Sequence, residues 1–260
     1  PNNITFCHTV GDPEATEKVF AKADHIVHER LVISRVSANP LEGRAIIADY
    51  DADEDFCTIF IAHQSAFGIR RQLAENIFKE PESKFRVIIE DVGGSFGVKG
   101  QFYPEYPLIL AASKALGRPV RWICERSEAF LSDYHGRDNI SEAELALDKD
   151  GKFLAIRVKT TANLGAYPAT MPTGPTTSHV GGLAGVYMFA QAHVEITGVY
   201  TNTSPVSSYR GAGRPEASYV IERMVDTAAR EFAMDPAEIR RKNMISADAL
   251  PYRTPLLLEI

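Results

Sequence analysis

Cysteine is scarce. Cys7, Cys57 and Cys124 are the three in 260 residues, and no two form a C-x-x-C pair. So sparse and odd a set excludes a disulfide framework and fits reduced thiols in a cytosolic protein. It also excludes an iron–sulfur cluster, which takes four clustered thiolates. Long apolar runs are missing, since no window approaches the roughly 18 residues of a spanning helix, so no membrane is expected as a partner. The start, "PNNITFCHTV", has neither the basic flank nor the apolar core of a signal peptide. Basic charge is in deficit: 28 Lys and Arg against 34 Asp and Glu give a formal net charge of −6. That speaks against nucleic acid, whose binders carry a basic stripe. The seven histidines show no H-E-x-x-H spacing, and His25 and His28, in a strand-like run, face opposite sides, so zinc is not expected. There is no G-x-S-x-G elbow, and the serine-bearing loop around His179 is a weak hydrolase signal. The chain also lacks an initiator Met and stops on the apolar "PYRTPLLLEI", so it is expected to be a piece cut from something longer.

What is present is an ordinary globular composition, 45% hydrophobic and 24% charged, enough for one large domain or two small ones. "DHIVHERLVISRVSA" and "RAIIADY" read as strands. The acidic run Asp51 to Asp55 breaks the second before "FCTIFIAHQ" resumes, which predicts a hairpin. Ile69, Leu73 and Ile77 recur every fourth residue and predict an amphipathic helix. "FRVIIED" reads as a short buried strand and "PVRWIC" as another. "PEYPLILAASKALG" reads as a helix with Pro107 in its first turn and Gly117 at its end. Alternation on both sides of Asp150-Gly151 predicts a second hairpin. Residues 165 to 190 are long for a structureless loop, so they are expected to be functional or covered by a partner. "AHVEITGVYTNT" reads as a strand. Ala217, Val220, Ile221, Met224, Val225 and Ala228 share one face of a helix opened by Pro215, and Asp235 caps another. The irregular mixture of hairpins, strands and helices predicts an α+β fold with mixed sheets and packed helices, not a doubly wound parallel one.

Three stretches carry candidate chemistry. In "DVGGSFGVKG", a strand runs into Gly93-Gly94-Ser95-Phe96-Gly97, where successive bare N–H groups suit an anion or oxo group. It is neither a dinucleotide fingerprint nor a P-loop, because Lys99 lacks the spacing and the following Ser or Thr; a plain glycine-rich turn is the alternative. "SSYRGAGRPEA" again joins strand to helix, with Arg210 and Arg214 flanking two glycines at a helix N-terminus; its alternative is an ordinary loop with solvated arginines. In "IAHQSAFG", Gln64 follows an apolar strand, a place where glutamine is commonly just surface.

Taken in order, these stretches and their surroundings are more specific. "FIAHQSAFGIRRQLA", then "VIIEDVGGSFGVKGQFYPEYPLILAASKALGRPVRWICERSEAF", then "TNTSPVSSYRGAGRPEASYVIERMVDTAAREFAMDPAEIRRKNMI" resemble the molybdenum hydroxylases: the large subunits of the xanthine dehydrogenase, aldehyde oxidoreductase and aerobic carbon monoxide dehydrogenase type. The resemblance runs from about Leu41 to the end. It implies that residues 1–35 are the tail of a preceding small domain or a linker, and that 36–260 are the first molybdenum-cofactor-binding domain. It implies molybdopterin with molybdenum, often in the cytosine dinucleotide form, and hydroxylation of an electrophilic carbon with oxygen drawn from water. Electrons would leave through iron–sulfur clusters and FAD on other domains or subunits, which, with the remaining molybdenum-binding domain and a small-molecule substrate, are the implied partners. By position, Gln64 matches the glutamine whose amide meets the metal's oxo ligand. Phe96, within Gly94, Ser95 and Gly97, matches the residue whose N–H approaches it, and Arg210, with Gly211, Ala212 and Gly213, matches a second cofactor loop.

Departures narrow the expectation. Gly100 stands where purine-oxidising members have a glutamate, Ala212 where they have a phenylalanine, and Ser178 near their purine-clamping arginine. Gly211 stands where carbon monoxide dehydrogenases have a copper-binding cysteine. An aldehyde or N-heteroaromatic substrate therefore fits better than a purine or carbon monoxide. The family's general-base glutamate lies in a G-V-G-E-type motif absent here, so this chain supplies no catalytic residue and no direct metal ligand. Alone it is expected to be inactive and metal-free. A split subunit serving as an assembly module of a hetero-oligomeric dehydrogenase is the alternative.

Overall fold

The computed structural model describes residues 2–169, 177 and 180–260. It divides into two compact units, one made of Pro1–Val36 and Gly136–Ile260, the other of Ser37–His135. In chain order, the first unit begins with strand β1 (Ile4–Gly11), helix α1 (Pro13–Phe20) and strand β2 (His25–Ile33). The second unit follows: β3 (Ala45–Asp51), β4 (Phe56–Ile61), α2 (Ala66–Arg71), β5 (Phe85–Ile88), α3 (Glu105–Leu116), β6 (Val120–Ile123) and α4 (Arg126–Ser132). The chain then returns to the first unit with β7 (Asn139–Leu147), β8 (Phe153–Asn163), β9 (Gln191–Val199), α5 (Arg214–Glu231) and α6 (Pro236–Asn243).

The first unit is a five-stranded sheet in the order β1-β9-β8-β7-β2. β8 and β9 run parallel and the other neighbours antiparallel, so the sheet is mixed. Residues 4 to 33 supply both edge strands. Alternation along β9 buries Ala192, Val194 and Ile196 on one face. The predicted stripe of α5 packs there, with Val220, Ile221, Met224 and Val225 against Val27, Leu145 and Ile156. The opposite face takes α1, through Phe20 on Ala146 and Ala155. Both α1 and α6 start on an aspartate: Asp12 accepts the Ala15 N–H at 2.9 Å, and Asp235 those of Ala237 and Glu238 at 2.8 and 3.1 Å. The long glycine-rich stretch lies partly outside the described residues. Within its described part, Val180–Ala184 form a 3₁₀ turn whose Val180, Leu183 and Ala184 belong to the core.

The second unit is a four-stranded sheet, β5-β4-β3-β6, with β4 and β5 parallel. The predicted acidic hairpin is there: Asp51 pairs with Phe56, and its carboxylate accepts the N–H groups of Asp53 and Glu54. β5 is an edge strand with only Phe85 buried, which corrects the expectation of a buried strand. α2 continues into a π-helical turn, Gln72–Phe78. The wider turn rotates the apolar stripe, so Ile69 and Leu73 are buried while Ile77 stays 45% exposed. Arg44 sits deep in this unit. The Arg44 side chain is fully buried, donates from Nε to Asp133 at 2.6 Å and from Nη1 to Glu105 at 3.2 Å, and stacks 3.7 Å above the Tyr103 ring. Burial raises the Asp133 carboxyl above its usual range, with Arg44 opposing.

Candidate functional site

Gln64 stands just past β4, exposed, with the buried His63 before it. His63 Nδ1 lies 3.0 Å from the Ser65 nitrogen and 3.1 Å from its carbonyl oxygen, and Nε2 lies 3.3 Å from the Gln101 carbonyl oxygen. Burial lowers the His63 pKa, which keeps the ring neutral in this bridging role. Strand end and loop exit are thereby tied together. The Gln64 N–H adds a second tie, donating to the Lys99 carbonyl at 3.1 Å.

Between those ties lies the glycine loop. Gly94, Phe96 and Gly97 have φ values of 91°, 56° and 107°. Glycine adopts this backbone freely; for phenylalanine it stores strain on the order of 1–3 kcal/mol, a common mark of functional loops. The loop holds itself through Val98 N–H to Ser95 O at 3.1 Å and Gly100 N–H to Gly97 O at 3.2 Å. Phe96 is 39% exposed. Ser95 Oγ lies 2.5 Å from Gln64 Oε1 and accepts the Lys99 N–H at 3.0 Å. Beneath, the wholly buried Lys99 ammonium meets Glu42, whose carboxylate also accepts the Gly93 N–H at 3.0 Å. Burial works to raise the Glu42 carboxyl, but Lys99 and the Gly93 N–H outweigh it and hold it below its ordinary value.

The second stretch belongs to the other unit. Gly211, Ala212 and Gly213 have φ of 90°, 43° and 95°, three consecutive left-handed residues ahead of α5. The Ala212 N–H folds back onto the Tyr209 carbonyl at 2.6 Å. Arg137 braces the turn: Nη2 donates to Arg210 O at 2.7 Å and Nη1 to Glu216 at 2.9 Å, and its guanidinium lies 4.8 Å from the Tyr209 ring. A Cβ on Gly211 would stand 2.7 Å from Cδ and Cγ of Pro215. That contact and the positive φ together require glycine.

The structure thus brings Gln64 together with the loop Gly94–Gly97 in one unit and groups Arg210–Gly213 with Arg137 in the other. The Ser178 and His179 positions lie outside the described residues. Sequence reasoning missed Glu42, Lys99, His63 and Arg137. Lys99 was weighed only as a P-loop lysine, and the carboxylate that neutralises it is 57 residues away. Among the described residues, no group of three or more His, Cys, Asp or Glu could hold a metal ion, and no helix is long and apolar enough to cross a membrane.

A family model described as a molybdopterin cofactor-binding domain matches residues 1–244. The carbon monoxide dehydrogenase large chain of Hydrogenophaga pseudoflava is 38% identical over 260 residues, covering 97% of this chain and 32% of its own length. The 6-hydroxypseudooxynicotine dehydrogenase complex subunit gamma of Paenarthrobacter nicotinovorans is 32% identical over 236 residues, 91% of this chain and 30% of its own. The crystal structure of quinoline 2-oxidoreductase from Pseudomonas putida 86 superposes with a TM-score of 0.93 at 34% identity, over 99% of this chain and 33% of that one. The chain spans about a third of the length of these relatives.

Proposed function

Because the chain belongs to the molybdopterin cofactor-binding domain family, we propose that it is the part of a molybdenum hydroxylase that grips the pterin–molybdenum group. The residues that would contact the group are Gln64, Gly94, Ser95, Phe96, Gly97, Arg210, Gly211, Ala212 and Gly213. The residues fit an anionic, oxygen-rich ligand. Both turns use left-handed backbone with little side-chain cover, and Gln64 adds an exposed amide. Concave turns of this kind favour negative charge. When bound, the group supplies the oxidation itself, transfer of a water-derived oxygen to a substrate carbon with uptake of two electrons. This chain's own residues bind and orient; the proton-accepting carboxylate lies outside residues 1–260.

The observation that carries this reading is the Gln64–Ser95–Lys99 arrangement, which holds an exposed amide against a strained glycine loop. We take the substrate to be an aldehyde or an N-heteroaromatic compound, supported by the named activities of the quinoline and pseudooxynicotine relatives. Gly211, where a copper-binding cysteine is expected in carbon monoxide oxidisers, has no room for a side chain. The cytosine dinucleotide form, iron–sulfur and flavin partners and a cytoplasmic location complete the proposal. The test is thermal unfolding with released molybdopterin in excess. At ten times Kd the chain gains about 1.4 kcal/mol, about 3–6 °C in Tm. A rise with a free nucleotide and none with molybdopterin would favour an unrelated nucleotide-binding domain.

A further inference from the structure

We propose that Ser95 is a positioning residue that locks the Gln64 amide in one of its two orientations, with Nε2 turned outward as a double donor. The inference rests on the reading that Gln64 meets the cofactor. The two ends of a glutamine amide are nearly equal in size and opposite in hydrogen-bonding character. An exposed Gln64 left to itself would present oxygen as readily as nitrogen, and oxygen repels an anion. Three features remove that freedom.

The Ser95 hydroxyl has one proton and two lone pairs. The Lys99 N–H occupies a lone pair at 3.0 Å, and the 2.5 Å approach to Gln64 Oε1 has the length of an O–H···O bond, shorter than N–H···O bonds run. The proton therefore goes to the glutamine oxygen. Gly100 makes room on the same side: a Cβ there would stand 3.0 Å from Oε1 and 3.4 Å from Cδ. Finally, the Gln64 N–H to Lys99 O bond fixes the backbone that carries the amide. Gly100 thus has a use in this chain separate from substrate choice: it leaves space for the oxygen end of Gln64.

The experiment is ¹⁵N relaxation of the Gln64 side-chain amide in the whole chain, without cofactor, for wild type, Ser95→Ala and Ser95→Thr. The expected result is an Nε2 order parameter above about 0.6 in wild type and Ser95→Thr, falling below it in Ser95→Ala. An unchanged Gln64 signal in Ser95→Ala overturns the proposal. So does an equal loss of backbone order at Lys99, which would make Ser95 a loop brace only. In the presence of molybdopterin, Ser95→Ala and Gln64→Glu are each expected to weaken binding about tenfold, with Ser95→Thr restoring it. The glutamate keeps the acceptor for Ser95 and has no donor. Wild-type binding by Ser95→Ala overturns the donor role. If wild type ignores molybdopterin while Gln64 order still depends on Ser95, the cofactor reading fails and the orientation stands.

Discussion

Glu42→Gln should destabilise this protein far more than Lys99→Met, although the two residues form one ion pair. The asymmetry comes from burial: the Lys99 side chain has no exposure, while that of Glu42 keeps 39%. A glutamine at 42 can still accept the Gly93 N–H, but it leaves a full positive charge buried without its counter-ion. Breaking a buried pair in that way costs about 3–5 kcal/mol. Methionine at 99 removes the buried charge and fills the lysine stem's volume, and the remaining carboxylate turns to water while keeping Gly93. We expect that change to cost about 1 kcal/mol. At about 2–4 °C per kcal/mol, Glu42→Gln lowers Tm by about 6–20 °C and Lys99→Met by about 2–4 °C. The double variant should sit near Lys99→Met, so the coupling equals the whole cost of Glu42→Gln, about 3–5 kcal/mol. Urea and thermal unfolding followed by circular dichroism read all four corners of the cycle. If Lys99→Met costs as much as Glu42→Gln, burial of the ammonium is not the governing term and the reasoning fails. The pH dependence has a fixed sign. A carboxyl held below its ordinary 4.5 contributes fully above that value and loses its contribution as pH falls through its lower folded value. The Tm gap between wild type and Glu42→Gln therefore narrows below about pH 4.5.

Other outcomes are equally open to measurement. Gly211→Cys forces a side chain onto φ 90° and into Pro215, and should cost about 1–3 kcal/mol in urea unfolding; a neutral result would show that the turn relaxes freely. Leu73→Ala, at a fully buried site, should cost about 2–5 kcal/mol, while Ile77→Ala should cost under about 1 kcal/mol. With a thiol reagent at neutral pH, the exposed Cys7 should react first. Cys57 and Cys124 are pushed up to about 11, chiefly by burial, so they should react only on unfolding or as pH approaches that value.

Most of the second hairpin, β7–β8, was legible because alternation and an Asp-Gly turn act over a few residues. The buried stripe of α5 was legible for the same reason. β1, α1 and α4 were missed. β1 keeps an exposed, weakly alternating pattern at a sheet edge, and α1 and α4 are short helices of eight and seven residues. The π-turn after α2 defeated a strict four-residue period at Ile77. At the candidate site, Gln64, Phe96 and Arg210 were marked by their glycine surroundings and by family resemblance. Their supports were not, because Glu42 and Arg137 are ordinary charged residues until the fold sets Lys99 and the Arg210 carbonyl beside them.

By itself, then, the amino-acid order determined what local forces decide: which segments become strands or helices, where the backbone must be bare, and which family the ordered motifs mark. Only the tertiary structure decided that the segment 4 to 33 supplies both edges of one sheet, that Lys99 is buried on Glu42, and that Ser95 rather than solvent faces the Gln64 oxygen. Those are contacts between residues 31 to more than 100 positions apart. No short-range pattern encodes such contacts, because their energy appears only once the chain has closed the loops between them.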